Sequence, residues 1–234
     1  MMNTRDVQPE MMDQPELCPN LHRTALAALG LINRLSRTEA VVWEPIRRLA
    51  VSKRRPIRVL DVACGGGDVL RSLASRARSA GLPIEFSGCD VSELALQFAS
   101  ERARRAGHDS ITFFEHDVLK HELPRGYDVI LSTLFFHHLQ WEEASSLLTE
   151  MARQSERLVL VDDLRRTRAG YVLAHCAGRF LTRSPVVQSD GPLSVRAAFT
   201  EAEWRDMAVS CELHGVTIQR HWPQRMLLKW ERPQ

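Results

Sequence analysis

The distribution of apolar residues along the chain predicts short strands that alternate with amphipathic helices. Apolar runs of strand length are separated by stretches in which apolar side chains recur at helical spacing. These runs are Ile57–Val62, Ile84–Asp90, Ile111–Glu115, Tyr127–Ser132 and Arg157–Asp162. Such alternation is typical of a doubly wound α/β fold, in which helices cover both faces of a parallel sheet.

The helices between these strands carry signals that locate their ends. A helix over Asp68–Ala80 directs its apolar residues inward, and Gly81 suits its C-cap. Ser92 is a favourable N-cap for the next helix, which is predicted to end at Gly107. A further helix, Trp141–Ser155, connects the last two of these strands.

The C-terminal part predicts one more helix and two more strands. Thr200 and Glu203 have the spacing of a capping box, which opens a helix that reaches about Leu213. Val216–Arg220 and Arg225–Trp230 face each other across a short turn and predict an antiparallel hairpin. The complete sheet is therefore expected to have seven strands.

The first part of the chain predicts a tail followed by a helical cap. Residues 1–20 contain three prolines and little periodicity, so we expect a mobile tail. Apolar residues at helical spacing predict a first helix around Leu26, Leu29, Ile32 and Leu35. Ser36 and Glu39 have the pattern of a capping box for a second helix, in which Pro45 is expected to cause a kink.

Composition and charge narrow the functional classes. Of the 234 residues, 44% are hydrophobic and 26% are charged, as in an ordinary globular protein, and no apolar run has the length of a bilayer span. The N-terminus lacks the basic start and apolar core of a secretory signal, so we expect a cytoplasmic protein. The five cysteines form no C-x-x-C pair, which favours reduced thiols. A net charge of +2 gives no electrostatic argument for a nucleic-acid partner.

The strongest candidate site is a glycine-rich turn directly after the first strand. The chain runs Asp61-Val-Ala-Cys-Gly-Gly-Gly-Asp68, so a buried strand enters a flexible turn and a helix begins immediately after it. Gly65 and Gly67 let the backbone bend tightly and let a ligand approach closely. Acidic residues lie at successive strand ends, because Asp61 ends the first strand, Asp90 ends the second and Asp117 follows the third. A carboxylate at the second position can accept hydrogen bonds from both hydroxyls of a ribose.

This pattern resembles the class I S-adenosylmethionine-dependent methyltransferases, over residues 57–164 most closely. The resemblance implies a Rossmann-like fold and binding of S-adenosylmethionine. In that family the first strand and its loop hold the methionine end, the second-strand acid holds the ribose, and the third-strand acid with its neighbour holds adenine. The corresponding candidate residues here are Asp61, Ala63, Gly65, Gly67, Asp90, Val91, Asp117, Val118 and Thr133. Ala63 departs from the family's usual glycine, a mild change unless the position needs a positive φ angle.

Two other interpretations of the glycine loop stay open. A nicotinamide-dependent dehydrogenase would have a third glycine at the position of Leu70, and it has no standard use for Asp61 or Asp117. A protein that binds the cofactor without catalysis would show the same loop, because the loop indicates binding and not turnover.

The end of the fourth strand carries the candidate catalytic residues. Its sequence, Phe-Phe-His137-His138-Leu, lacks the acid or asparagine, two prolines and aromatic residue found in methyltransferases of DNA bases and protein glutamine. It resembles instead small-molecule methyltransferases that act on sugars, quinones and polyketide-like phenols. In the sugar and phenol O-methyltransferases a histidine here often acts as the general base together with an acid after strand five. The resemblance implies these roles for His137 and Asp163. A role in packing against the sheet edge is equally open for His137 and is preferred for His138.

We predict no metal ligands. Catechol-type enzymes hold magnesium with carboxylates after strands four and five. Asp162 and Asp163 could supply the carboxylates after strand five, but Ser132 stands where the acid after strand four is expected.

The chain is predicted to divide into a tail and helical cap, residues 1–56, and a class I methyltransferase domain, residues 57–234. An insertion at about 165–196 lies where the family builds its substrate lid. It is predicted to contain a helix from Arg168 to Thr182, with Tyr171 and His175 on one face, followed by a loop over Ser184–Leu193.

The sequence therefore predicts methyl transfer from S-adenosylmethionine to a small, aromatic or polyketide-like acceptor, with O-methylation favoured. C-methylation of a quinone-like ring and non-catalytic cofactor binding are the alternatives. The oligomeric state stays open.

Overall fold

A computed structural model describes residues 2, 4–14 and 16–233. In this part of the chain the strands form one sheet. The strands are β1 (Ile57–Val62), β2 (Ile84–Asp90), β3 (Thr112–Glu115), β4 (Tyr127–Thr133), β5 (Ser155–Leu164), β6 (Thr217–His221) and β7 (Arg225–Glu231). Their order is β3-β2-β1-β4-β5-β7-β6. The first five strands are parallel, and β7 runs antiparallel to both β5 and β6. The predicted seven-stranded sheet with its C-terminal hairpin is thus confirmed.

Helices cover both faces of this sheet. They are α1 (Pro19–Leu35), α2 (Thr38–Ser52), α3 (Asp68–Ala80), α4 (Glu93–Arg105), α5 (Trp141–Gln154), α6 (Arg168–Leu181), α7 (Pro185–Ala197) and α8 (Glu201–Ser210). Several predicted ends hold, including the C-cap at Gly81, the Ser92 N-cap and the Thr200 capping box. In the residues described, no helix combines the length and apolar character that a bilayer crossing needs.

Two apolar cores lie on opposite faces of the sheet. Leu60 and Val62 of β1 face α5 and α8, where they join a cluster that includes the fully buried Trp204. Val59, which precedes Leu60 and points to the opposite face, belongs to a second cluster that includes Ile46 of α2 and Leu73 of α3. Alternate residues of a strand point to opposite faces, and burial of each large aliphatic side chain stabilises the fold by about 1.5–3 kcal/mol. Both cores fix β1 and therefore the loop that follows it.

Two local predictions are wrong. Ser36 does not open the second helix but ends α1, and the N-cap of α2 is Arg37, which has a φ of 55° and makes no side-chain cap. The predicted loop over Ser184–Leu193 is instead most of α7. Ser184 caps this helix by accepting a hydrogen bond from the Val187 N–H, and proline is favourable at the first helical position that follows.

The predicted mobile tail is also wrong for residues 4–14, here called the strap. The backbone N–H groups of Met11 and Met12 each donate to the Asp190 carboxylate on α7, at 3.0 Å. Ser194, also on α7, donates to Glu10 at 2.6 Å, and Glu10 is buried. These partners lie far away in sequence, so the local pattern of the strap carries no sign of them.

Candidate active site

The glycine loop lies between β1 and α3, at the carboxyl edge of the parallel strands. Gly65 and Gly67 have φ angles of 49° and 63°, a region that glycine adopts without strain. A Cβ on Gly67 would lie 2.9 Å from the Phe113 ring, so that a side chain does not fit there. Leu26 of α1 lies against the loop, 3.8 Å from where a Cβ on Gly65 would be. Helix α1 therefore covers the loop.

Ala63 begins this loop in a conformation that the sequence does not reveal. Its φ is 55°, in the left-handed region, where a Cβ costs roughly 1–2 kcal/mol. The condition under which alanine would be unfavourable is thus met, and the loop stores backbone strain next to the candidate site.

Replacing Ala63 with glycine is expected to stabilise the fold by about 0.5–1 kcal/mol. Glycine relieves the strain of the positive φ, although it loses more entropy on folding. The free energy of unfolding in urea measures the effect. Ala80→Gly is the matched control, because Ala80 is an exposed helical residue at which glycine should destabilise. Equal destabilisation by both substitutions would contradict the strain at Ala63.

Asp61 is buried at the end of β1, and its carboxylate has no hydrogen-bond partner in the part of the chain that the structure describes. Its side chain is 1% exposed. Burial, together with the nearby charges of Asp68 and Asp90, raises the pKa of Asp61 well above its usual range. An unpaired buried carboxylate is costly, so this position is suited to a cationic ligand that arrives from outside the protein.

Asp90 is held against the glycine loop. Its carboxylate accepts the N–H of Gly65 at 2.8 Å and the N–H of Ser92 at 2.9 Å. Burial raises the pKa of Asp90, while these N–H groups and the nearby His22 on α1 oppose the rise. Each carboxylate oxygen keeps acceptor capacity, so Asp90 can still bind two hydroxyl groups. The structure therefore brings the first-strand and second-strand acids to one loop.

The other predicted cofactor residues lie at or just after the carboxyl ends of β2, β3 and β4. The N–H of His116 donates to the Asp90 carbonyl at 3.1 Å, which places the segment with Asp117 and Val118 beside β2. Lys120 pairs with Asp117 at 2.8 Å and lowers its pKa. Val118 is buried and Val91 is exposed. Thr133 ends β4 opposite Asp162 of β5.

His137 and Asp163 meet at the carboxyl ends of β4 and β5. His137 lies in a short 3-10 turn, Phe136–His138, and both side chains are buried. Its Nδ1 lies 2.7 Å from the Asp163 carboxylate, which also accepts the backbone N–H of His137 at 3.0 Å. Burial opposes ionisation of Asp163, but the charge and hydrogen bonds of His137 hold the pKa of Asp163 below its usual value. A carboxylate only accepts, so Nδ1 carries a hydrogen, and in the neutral form of the ring Nε2 is the proton-accepting nitrogen.

His138 makes polar contacts in addition to the packing contacts that we expected, since its ring centroid lies 4.3 Å from that of His137 and 6.2 Å from that of Phe135. Its Nδ1 lies 3.0 Å from the Asp13 carboxylate of the strap. Burial lowers the basicity of His138, but the Asp13 hydrogen bond and the charges of Glu10, Asp13 and Asp163 together raise its pKa to about 9. Because the folded-state pKa is raised above the ordinary value of 6.5, this ion pair stabilises the contact between the strap and His138 fully below that pH, and the stabilisation is lost as the pH rises through about 9.

The strap covers His137 through contacts that the sequence analysis missed. Arg5 donates to the His137 carbonyl at 3.0 Å and lies over the Phe199 ring, 3.8 Å from its centroid. A Glu10 oxygen lies 4.0 Å from the His137 Nε2. The strap and His137 are separated by more than 120 residues, and no local motif links them.

The acids considered for magnesium have other partners. Asp162 is fully buried between His221, at 2.5 Å, and the buried Arg225, at 3.4 Å. The Ser132 hydroxyl donates to the Val62 carbonyl at 3.0 Å. Arg225 also donates to Asn33 of α1, so this buried network ties the C-terminal hairpin to the helical cap.

Comparisons with known proteins agree with this geometry. The family model described as a methyltransferase domain matches residues 59–156, which run from β1 to the start of β5. The ubiquinone biosynthesis O-methyltransferase of Nitrosomonas europaea is 29% identical over 131 residues, which cover 53% of this chain and 51% of that protein. The chain thus spans about half the length of this curated relative.

Solved structures show the same fold. The S-adenosylmethionine-dependent methyltransferase SibL has a TM-score of 0.68 at 18% identity, covering 98% of this chain and 64% of that one. Magnesium protoporphyrin IX methyltransferase from Synechocystis PCC 6803, solved with bound SAH, has a TM-score of 0.57 at 22% identity, with 85% and 83% covered. The chain therefore contains a methyltransferase domain, and its fold is that of the class I S-adenosylmethionine-dependent methyltransferases.

Proposed function

We propose that this protein transfers a methyl group from S-adenosylmethionine to a small-molecule acceptor. The observation that carries the proposal is the unpaired, buried Asp61 carboxylate beside the glycine loop and Asp90. S-Adenosylmethionine carries an ammonium group, a ribose and a sulfonium-bound methyl group, which is the electrophile that it supplies when bound. The residues present fit this ligand.

Each part of the cofactor has a candidate partner in the chain. Asp61 and the backbone of Gly65 and Gly67 would hold the methionine end, since the ammonium group would neutralise the buried carboxylate. Asp90 would accept hydrogen bonds from the ribose hydroxyls. Asp117 and its neighbour Val118 would border the adenine. Leu26, which lies on the loop, would cover the bound cofactor and exclude water.

His137 is proposed to take a proton from the acceptor through Nε2, and Asp163 to orient the ring. The Nδ1 contact with Asp163 fixes the tautomer and would stabilise the imidazolium that forms. This arrangement favours O-methylation, because a phenol or alcohol must lose a proton as it is methylated. C-methylation of a quinone-like ring is the second candidate, and in that case the pair would be structural.

Acceptor binding is proposed to need the strap to move. Glu10 faces Nε2 of His137, and the strap rests on α7 within the insertion at 165–196. We propose that the strap, α1 and this insertion form the substrate lid. The relative named for ubiquinone biosynthesis supports an aromatic acceptor. Turnover is proposed to need no metal, since Asp162 and Ser132 are bound to other groups.

The proposal is tested by calorimetric titration followed by a product assay. The purified chain should bind S-adenosylmethionine and S-adenosylhomocysteine, and NAD should give no heat. With a panel of phenols, sugars and quinols, mass spectrometry should detect a methylated product and S-adenosylhomocysteine. Binding of NAD without binding of S-adenosylmethionine would contradict the function. Cofactor binding without turnover on any acceptor would favour the non-catalytic alternative.

A further inference from the structure

Three side chains, one from the strap and two from the turn Phe136–His138, converge on one point. One oxygen of Glu10 lies 4.0 Å from Nε2 of His137, and the other lies 4.0 Å from Nε2 of His138. The three ligand atoms all lie within 4.8 Å of one another. A separation of 4.0 Å is too long for a hydrogen bond. It is near the roughly 3.3 Å between two ligands of a tetrahedral ion whose bonds are about 2.0–2.1 Å long.

The second nitrogen of each histidine is already held by a carboxylate. Nδ1 of His137 contacts Asp163 at 2.7 Å, and Nδ1 of His138 contacts Asp13 at 3.0 Å. Ser194 orients Glu10 in turn, with a hydrogen bond of 2.6 Å. Histidines that bind metals almost always donate their other N–H in this way, which fixes the ring and directs the second nitrogen at the metal. Binding of the ion would release to solvent the Nε2 proton that His138 carries at neutral pH. The supporting contacts of a metal site are therefore in place.

We propose that Glu10, His137 and His138 bind one divalent transition-metal ion, Zn²⁺ by preference, and that the bound ion inhibits the enzyme. Two imidazoles and one carboxylate are a ligand set of zinc, with a fourth position left for water. Magnesium and calcium prefer oxygen ligands, so a set with two imidazole nitrogens fits zinc better than either of these ions. Glu10 and His137 are both at least nine-tenths buried, which shields the site from competing water.

The inhibitory effect follows from which nitrogen the ion occupies. A metal on Nε2 of His137 takes the lone pair that would accept the acceptor's proton. It also joins the strap, through Glu10, to the turn after β4, so that the strap stays closed over the site. This part rests on the proposed function, whereas metal binding itself does not.

Direct binding is measured on the full chain after chelator treatment and dialysis. The exposed thiols of Cys18 and Cys176 are first replaced with serine in every protein used, because thiols bind zinc themselves. Calorimetry should then show one Zn²⁺ per chain. Glu10→Gln and His138→Gln should each raise the dissociation constant for Zn²⁺ at least tenfold. Asp13→Asn should raise this constant by about 10–100-fold, the usual effect of losing a carboxylate that supports a metal ligand.

His214→Gln is the matched control, because His214 is exposed and far along the chain from the cluster, and it should leave the constant unchanged. Nitrogen NMR of the histidine rings, on the protein without ligand substitutions, should show zinc-dependent shifts at two Nε2 atoms, and this result does not depend on how the variants fold. Absence of stoichiometric binding, or equal binding in the Glu10, His138 and His214 variants, would overturn the site.

The inhibitory arm uses turnover with the acceptor found for the wild type. Zinc should inhibit it, EDTA should restore it, and His138→Gln should need at least tenfold more zinc for the same inhibition. Stimulation by zinc, or loss of turnover in EDTA, would overturn the inhibitory role. If no methyl transfer is found, the binding measurements still decide the site, so the two proposals fail separately.

Discussion

Replacing His137 with alanine is expected to lower turnover by about 10²–10⁴-fold, the usual contribution of general base catalysis. The reason is that Nε2 is the free nitrogen of a ring whose Nδ1 is fixed by Asp163 at 2.7 Å. Without it, a neutral hydroxyl acceptor keeps its proton while the methyl carbon is attacked. The affinity for S-adenosylmethionine should hardly change, because among the residues described no candidate cofactor residue is hydrogen-bonded to this pair. Turnover and cofactor binding are measured separately on the same preparation.

Three controls separate a base from a structural histidine. Asp163→Asn should lower turnover less than His137→Ala, in the same direction. His175→Ala should have no effect, since His175 is exposed on α6 and remains available to solvent. An acceptor with an acidic phenol, already ionised at the assay pH, should recover much of the turnover of His137→Ala. Near-normal turnover of that variant on a neutral hydroxyl would contradict the assignment and favour C-methylation or an ionised substrate.

The sequence predicted the centre of the fold well, because its signals there are local. The run Ile57–Val62 carries apolar residues on both faces, and the structure buries all of it except Arg58 between two cores. Gly81, Ser92 and Thr200 each satisfy a helix end with groups only a few residues away. Short-range capping of this kind is visible in one sequence without knowledge of the fold. The cofactor loop could be predicted for the same reason.

The covering of the site could not be predicted, since it depends on contacts between distant residues. The strap lacks periodicity, and it is held by Asp190 and Ser194, which lie 179 and 184 positions further along the chain than their partners Met11 and Glu10. Glu10 and Asp13 contact the two histidines only because α7 holds the strap in place. The strain at Ala63 was likewise hidden, because a φ angle depends on the turn geometry and not on residue type alone.

Both halves of the candidate site are covered by the N-terminal part of the chain. Leu26 of α1 lies on the glycine loop, and Glu10 of the strap faces His137. Cofactor and acceptor would thus meet in a space from which water is excluded, which suits the transfer of a methyl group from a sulfonium ion. Mutations that test cofactor binding must therefore leave α1 and the strap intact, and Asp90 meets this condition.

Asp90→Ala is expected to lower the affinity for S-adenosylmethionine by roughly 2–4 kcal/mol, which corresponds to about 30–1000-fold in the dissociation constant. The substitution removes two charge-assisted hydrogen bonds that the carboxylate would accept from the ribose hydroxyls. Because Asp90 also accepts the Gly65 N–H at 2.8 Å, part of the loss would come through the loop. Titration with S-adenosylhomocysteine measures the loss without any contribution from turnover.

Two variants locate the effect at the ribose. Asp90→Asn keeps an acceptor for the Gly65 N–H but loses the charge, so its affinity should fall between those of the wild type and Asp90→Ala. Asp117→Ala should cost less than Asp90→Ala, because Asp117 already pairs with Lys120 at 2.8 Å near the surface and would border only the adenine. The free energy of unfolding of each variant is measured without ligand, so that a loss of fold is not mistaken for a loss of binding. If Asp90→Ala binds S-adenosylhomocysteine as tightly as the wild type does, the ribose lies elsewhere and the arrangement of cofactor residues proposed here is wrong.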